Sequence, residues 1–154
     1  MIKDKNIMYI YCEIIKQLEP ASILDVGMFI EAIGGVSRQM LDRSIPDNIY
    51  MTGVQTENIA GLNVYRTIYD RIITGKGIST DDKTYDLAIL LSDRIPENVK
   101  SMIIAAVQNR AKYMLMYEND VRYIDCSYQS MEIGLDDVRC RLIIFNNAYN
   151  QYIE

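Results

Sequence analysis

The sequence has 154 residues, of which 49% are hydrophobic and 24% are charged, and its formal net charge is −5. That length and composition predict one soluble globular domain over residues 1–154, with enough chain to bury a core. The acidic net charge argues against nucleic acid as a partner. The longest apolar runs have the length of a strand, well short of the roughly 20 residues that span a membrane, so no membrane partner is predicted either.

Histidine is absent from the sequence. This absence excludes histidine general bases, Ser-His-Asp and Cys-His catalytic groups and histidine metal ligands. The three cysteines, Cys12, Cys126 and Cys140, share no metal-binding spacing, and we expect buried free thiols and no metal site. The first residues show no secretory signal, so a cytoplasmic protein is expected.

Helical and strand patterns alternate along most of the chain. Apolar residues at helical spacing begin the sequence, and Glu19-Pro20 ends that helix. In chain order the predicted elements are helix Ile7–Leu18, strand Ser22–Val26, helix Ile33–Leu41, strand Ile49–Val54, helix 56–66, strand Tyr69–Thr74, strand Tyr85–Leu91, a helix after Pro96 and strand Ala111–Tyr117. The strand at Tyr85–Leu91 is nearly all apolar, which indicates burial on both faces.

The alternation of strands and helices stops in the last part of the chain. Val121–Met131 and Arg139–Phe145 are predicted to be two strands, joined through Gly134-Leu135-Asp136-Asp137 as a hairpin. Alternating strands and helices followed by a hairpin predict an α/β fold. Its doubly wound, mostly parallel sheet would carry helices on both faces, giving three layers, and end in a C-terminal antiparallel β-hairpin.

The end of the first predicted strand is the candidate binding position. There the apolar run Ile23–Val26 is interrupted by Asp25 and stops at Gly27, and a helical pattern follows. In open α/β sheets, nucleotide-like ligands bind at such a strand end. The G-x-G-x-x-G fingerprint of dinucleotide-binding proteins does not follow. The residues alone leave a second interpretation open, in which Asp25 caps the next helix and Gly27 serves only the turn.

Four local patterns resemble the class I S-adenosylmethionine-dependent methyltransferases. Ile23–Gly27 resembles the start of that family's first motif, and Thr52–Gln55 resembles the end of its second strand. Gly75-Lys76 followed by Tyr85–Ala88 resembles the third-strand loop and the fourth strand. Leu91–Ile95 resembles the segment beside the methyl donor. The resemblance covers most of the chain and implies a sheet in the strand order 3-2-1-4-5-7-6.

The resemblance implies S-adenosylmethionine as the cofactor. It places Asp25 and Gly27 under the amino-acid part of the donor, where a glycine lets the backbone approach closely. The family's turn continues with glycines two and four residues after the first, and this chain has Phe29 and Glu31 at those positions. Phe29 is therefore a candidate cofactor-site residue that departs from the family pattern.

At the positions where the family contacts the nucleoside part of the donor, this chain has different residues. Gln55 stands where the family has an acid for the ribose hydroxyls, and Lys76 stands where it has an acid for the adenine amino group. Ser92 is the candidate beside the donor, and Asp93 is the candidate catalytic residue near the methyl acceptor. Without the resemblance, Asp93 is equally an ordinary residue before a helix start.

Two functions of different classes follow. One is an S-adenosylmethionine-dependent methyltransferase acting on a small-molecule or protein acceptor, because methyl transfer depends mainly on alignment and needs no histidine. The alternative is a non-catalytic methyltransferase-like module that works through protein partners, in which Phe29 fills the pocket and Lys76 changes its charge. A homo-oligomer is a natural state for so small a scaffold. The fold alone does not choose between the two functions.

Overall fold

A computed structural model describes residues 2–28, 49–56, 69–92 and 95–146 of the chain. Its strands are β1 (Ser22–Val26), β2 (Tyr50–Gln55), β3 (Arg71–Thr74), β4 (Tyr85–Leu90), β5 (Ala111–Tyr117), β6 (Tyr128–Leu135) and β7 (Val138–Phe145). They form one seven-stranded sheet in the order β3-β2-β1-β4-β5-β7-β6. The first five strands pair in parallel, and β7 runs antiparallel to both of its neighbours. The predicted sheet and the implied strand order are confirmed.

Two α-helices and two 3₁₀ helices accompany the sheet within the described residues. These are α1 (Ile2–Leu18), α2 (Glu97–Val107), η1 (Lys76–Thr80) and η2 (Glu118–Tyr123). The helices α1 and α2 confirm the patterns predicted before Pro20 and after Pro96. The helical patterns predicted at Ile33–Leu41 and 56–66 lie outside the described residues. Neither described α-helix is long and apolar enough to cross a membrane.

The sheet separates two apolar cores. Strand side chains point alternately to the two faces, so Leu87 and Ile89 of β4 pack in the core that holds α1. Ala88 and Leu90 pack in the core that holds α2. This division explains why the sequence of β4 is almost uniformly apolar. It also confirms helices on both faces of the sheet, and so three layers.

The C-terminal hairpin differs from its prediction in one strand. Strand β6 begins at Tyr128 rather than Val121, and a two-residue turn at Asp136-Asp137 joins it to β7. The preceding residues form η2, whose Val121 and Tyr123 pack against the α2 core. Asp120, buried in η2, binds Nζ of Lys100 on α2 at 3.2 Å. This contact ties the segment to α2 and removes it from the sheet, so the predicted strand start was wrong.

The three cysteines are free thiols, as predicted, but the burial that was also predicted holds for Cys140 alone. Cys140 is buried, whereas Cys12 and Cys126 are half-buried. Burial raises the pKa of the Cys140 thiol to about 11, so this side chain stays neutral and behaves as a small apolar residue.

Candidate functional site

Five of the predicted site residues are described, and they lie at or near the carboxyl edge of the sheet, because the parallel strands β1 to β4 end there; they are Asp25, Gly27, Gln55, Lys76 and Ser92. Backbone hydrogen bonds join these strand ends: the amide of Gly27 donates to the carbonyl of Val54 at 2.9 Å, and the amide of Gly75 donates to the carbonyl of Gln55 at 3.0 Å. The residues nevertheless occupy two different environments along this edge.

Asp25 lies in the protein interior. Its carboxylate is fully buried and accepts a hydrogen bond of 2.6 Å from the hydroxyl of Tyr69. The Tyr69 ring crosses β2 at Gly53, where an added Cβ would lie 3.0 Å from the ring. Gly53 is also the register partner of Asp25 on β2. A glycine at this position therefore lets the tyrosine reach the acid.

Gly27 forms a tight turn directly after β1. Its φ is +81°, a conformation that glycine adopts without steric cost. A Cβ at this position would lie 2.7 Å from Cβ of Ser92 and 2.9 Å from Cγ1 of Ile95. The Ser92 hydroxyl donates to the Gly27 carbonyl at 3.1 Å. Gly27 and Ser92 are thus brought together, and the close approach at the glycine is made by the chain's own side chains.

The next residue continues the turn. Met28 also has a positive φ, +56°, and its side chain is fully buried in the α1 core. Phe29 follows it and lies outside the described residues. Asp93, the candidate catalytic residue next to Ser92, also lies outside the described residues. The same is true of Glu57, an acid close to Gln55 in the sequence. The roles assigned to Phe29 and Asp93 stay predictions.

An open cleft lies beside the ends of β2 and β3, bounded on the far side by α2. It has a volume of about 400 Å³. Its described lining residues are Gln55, Thr56, Thr74, Gly75, Lys76, Val99, Met102 and Ile103. We call it the β2–β3 cleft. Gln55 and Lys76, which were predicted separately to contact the ribose and the adenine, both line this cleft.

The chemistry of the β2–β3 cleft is divided between its walls. The α2 side is apolar, and the strand ends supply hydroxyl, amide and ammonium groups. Lys76 carries the single charge among the described lining residues. An apolar wall opposite a few convergent polar groups is the usual construction of a site for a small organic ligand.

A buried cluster supports the segment that carries Lys76. Arg71 Nη2 lies 3.1 Å from Asp81 Oδ1, and the Tyr85 hydroxyl donates to Asp81 at 2.6 Å. Burial by itself raises the pKa of the Asp81 carboxyl, but the hydrogen bonds from Tyr85 and Arg71 outweigh it and hold that pKa below its ordinary value. Burial and the bond to Asp81 raise the pKa of Tyr85 to about 12. The cluster fixes η1 to the sheet.

A second, more polar cleft of about 530 Å³ lies at the end of β5. Its described lining residues are Lys100, Tyr117, Glu118, Asn119, Asp120, Asp137, Val138 and Arg139. Burial by itself lowers the pKa of Lys100, but its hydrogen bonds to Glu97 and Asp120 outweigh that effect and raise it. The ammonium group is thus held charged by two acids. Sequence patterns did not indicate this cleft, because three distant segments form it.

No family model and no curated protein matches the sequence. The structure is similar to the O-methyltransferase TomG from Streptomyces achromogenes, solved in complex with S-adenosylmethionine. The TM-score is 0.59 at 10% identity, covering 90% of this chain and 78% of that one. The chain has the class I methyltransferase fold.

An O-methyltransferase from Bacillus cereus, solved in complex with S-adenosylhomocysteine, shares this methyltransferase fold. The TM-score is 0.54 at 11% identity, covering 86% of this chain and 78% of that one. These comparisons confirm the resemblance in layout that the strand-end motifs indicated. Because fold and activity are separable, the activity has to be argued from the site.

Proposed function

We propose that the protein binds S-adenosylmethionine with the adenosine part in the β2–β3 cleft, and that it transfers the methyl group to a small-molecule or protein acceptor. The cleft itself carries the proposal, because it unites Gln55 and Lys76 at the two strand ends to which the resemblance assigns the nucleoside. The similar proteins TomG and the Bacillus cereus enzyme were solved with S-adenosylmethionine and S-adenosylhomocysteine.

The lining residues suit an adenosine group. Met102 and Ile103 on α2 offer apolar surface for the base, which gains free energy on leaving water. The Gln55 amide both donates and accepts, so it can bind the ribose hydroxyls without a charge. Gly75 leaves its side of the cleft open, since an added Cβ would meet no atom closer than 3.8 Å.

The amino-acid part of the donor is proposed to lie toward the Gly27 turn. Asp25 is buried against Tyr69 and is not among the described residues that line the cleft. Ser92 holds the turn through its bond to the Gly27 carbonyl. Asp93 is proposed to lie near the acceptor and Phe29 near the donor. Holding two reactants in line lowers the barrier by positioning alone, which suits a chain without histidine.

Calorimetric titration with S-adenosylmethionine and S-adenosylhomocysteine tests the proposal. We expect micromolar dissociation constants for the wild-type protein and an approximately tenfold weaker one for Gln55→Ala, the loss of about one good hydrogen bond. Gln129→Ala is the matched control, because Gln129 is exposed on β6 and far from the cleft. An absence of binding at millimolar ligand contradicts the proposal.

A specific observation favours the second candidate, a non-catalytic module that works through protein partners. Gly27 is packed against Ser92 and Ile95, and Asp25 is closed off by Tyr69, so internal contacts occupy part of the region expected to meet the donor. A folded protein that binds neither S-adenosylmethionine nor S-adenosylhomocysteine would support this module.

A further inference from the structure

Strand β6 forms one edge of the sheet, and its outer side has no strand partner within the described residues. Its ladder with β7 runs without a bulge from Leu135–Val138 to Tyr128–Phe145. The first five residues of the strand are exposed, and Met131 is 56% exposed. Natural edge strands are usually blocked by charged side chains, lysine above all, or by proline, a bulge or short length. Strand β6 has one charged residue, Glu132, and no lysine, proline or bulge.

Hydrogen-bonded and non-hydrogen-bonded residue pairs alternate along the hairpin, and this alternation determines which backbone groups of β6 point outward. In a hairpin with a two-residue turn, the residues that flank the turn, here Leu135 and Val138, are hydrogen-bonded to each other. Every second residue before Leu135 then also bonds to β7. The backbone groups of the intervening residues face the open edge; these residues are Tyr128, Ser130, Glu132 and Gly134.

We propose that β6 pairs antiparallel with β6 of a second copy of this chain, across a twofold axis at Met131. This register places Ser130 opposite Glu132 of the second copy and Tyr128 opposite its Gly134. All four outward-facing residues of each strand are then paired, which gives about eight interchain backbone hydrogen bonds. The two sheets become one continuous sheet.

The side chains of β6 are complementary to themselves in this register. The Ser130 hydroxyl accepts a hydrogen bond from Arg141 at 3.0 Å and can still donate its own proton, which in this register would go to Glu132 of the second copy. Tyr128 covers Gly134 of the second copy, a pairing that shields the exposed glycine backbone. Arg139 Nη1 already lies 3.2 Å from where a Cβ of Gly134 would be, and it offers a cation to the incoming ring.

Neighbouring registers are less favourable. A shift by two residues in one direction places Glu132 opposite Glu132, and like charges directly opposite each other destabilise a strand pair. The same shift in the other direction places Tyr128 opposite Glu132 and leaves Gly134 unpaired. The charge pattern of β6 thus selects the register centred on Met131.

The proposed dimer is independent of the proposed methyltransferase activity. Strand β6 lies at the opposite end of the sheet from β3, so pairing there leaves the β2–β3 cleft open. Ligand binding and oligomeric state can therefore be measured separately, and failure of one proposal does not decide the other.

Sedimentation of the full chain over a range of concentrations is the first test. We expect a dimer for the wild type and a monomer for Ser130→Pro, because proline removes an amide that points outward and leaves the bonds to β7 in place. Ser130→Ala is the matched control: it keeps the amide and should remain a dimer. Circular dichroism and thermal unfolding establish that each variant is folded.

A cysteine placed on the axis tests the register. Opposed residues of a non-hydrogen-bonded pair have Cα atoms roughly 4.5 Å apart, within the range that a disulfide accepts. Oxidised Met131→Cys should therefore give a covalent dimer above the background of the three native cysteines. Gln129→Cys should not, because its opposite residue is Ile133 of the second copy.

Three results would overturn the proposal. One is a wild-type protein that is monomeric at every concentration. Another is a folded Ser130→Pro variant that remains dimeric, which would locate the contact elsewhere. The third is equal cross-linking at positions 129 and 131, which would contradict the register and the twofold axis.

Discussion

The carboxyl edge of the sheet has two parts that differ in how their space is used. At the ends of β1 and β4, Gly27 packs against Ser92 and Ile95, and an added Cβ would find an atom at 2.7 Å. At the ends of β2 and β3, a cleft of about 400 Å³ is open beside Gln55 and Lys76. One part is filled by the chain's own side chains, and the other offers room for a ligand.

Two buried acids, Asp25 and Asp81, form hydrogen bonds within the protein. Asp25 accepts the Tyr69 hydroxyl and Asp81 accepts the Tyr85 hydroxyl, each at 2.6 Å. Both acids join segments of the chain, while the described lining of the cleft has an amide and a lysine instead. Asp25, near the end of β1, is therefore evidence of internal support before it is evidence of a ligand contact.

Replacing Gly27 by valine should have the largest effect. The new side chain would overlap Ser92 and Ile95 and would require a β-branched residue at φ +81°, which together cost about 3 kcal/mol or more. Urea unfolding measures the loss. Gly75→Ala, in the open part, has a φ of −57° and no close neighbour, so its unfolding free energy should change by less than about 1 kcal/mol. Equal losses would contradict the difference between the two parts.

Alkaline pH should weaken the cluster of Arg71, Asp81 and Tyr85, which fixes η1 beside the open cleft. The pKa of Tyr85 is raised from 10.0 to about 12 in the folded protein, so its contribution to stability is complete below pH 10 and is lost as the pH rises to 12. Two pKa units correspond to about 2.7 kcal/mol. Urea midpoints at pH 9, 10.5 and 12 should fall less steeply for Tyr85→Phe than for the wild type. The exposed Tyr9, changed to phenylalanine, is the control.

The same cluster predicts a second loss of stability, this time as the pH falls. The pKa of Asp81 lies below its ordinary value of 3.8 in the folded protein, so its stabilising contribution is present above pH 3.8 and is lost as the pH falls through the folded-state pKa. Asp81→Asn should reduce this loss in the same urea series. A steep acid loss that persists in this variant would assign it to other carboxylates.

Tyr69→Phe probes the filled part more gently. The change removes one hydrogen bond to the buried Asp25 carboxylate and should lower the unfolding free energy by about 1–3 kcal/mol. Tyr9→Phe, at an exposed position, should leave it unchanged. An unchanged stability in both variants would show that the Tyr69 bond does not hold Asp25 in place.

Lys76→Glu should have the smallest effect and acts on the open part alone. A carboxylate there can accept a hydrogen bond from the adenine amino group, which an ammonium cannot, so S-adenosylhomocysteine should bind several-fold more tightly by calorimetry, about the net contribution of one ordinary hydrogen bond in an open cleft. Lys16→Glu makes the same charge change at an exposed position on α1 and should leave the affinity unchanged. Weaker binding in Lys76→Glu would contradict the adenine assignment.

Much of the fold could be predicted because it is specified by local patterns. The buried run of β4 and the amphipathic α2 after Pro96 are evident without knowledge of their neighbours, and the alternation of elements leads to a parallel sheet. The start of β6 could not be placed this way. Val121 and Tyr123 are apolar like strand residues, and their assignment to η2 depends on α2 and Asp120, which lie elsewhere in the fold.

Gln55 and Lys76 were assigned from the family resemblance, and their roles toward a ligand stay predictions. The parallel strands bring both residues to one edge of the sheet, where they line the same cleft. The bond between Tyr69 and Asp25 could not be predicted, since it joins positions 44 residues apart and depends on the missing side chain at Gly53. The roles of Phe29 and Asp93, and the cytoplasmic location, stay predictions.

The packing of α1 against the C-terminal hairpin has a consequence for how the chain folds. Asn6 donates to Asp136 at 3.1 Å across 130 positions of sequence, and Ile7 and Leu142 share one core. During translation, α1 leaves the ribosome before the hairpin, so the part of its apolar face that packs with Leu142 stays exposed until β7 has been made. Such long-range closure slows folding, and the α1 side chains that pack on the hairpin are accessible to chaperones until β7 emerges.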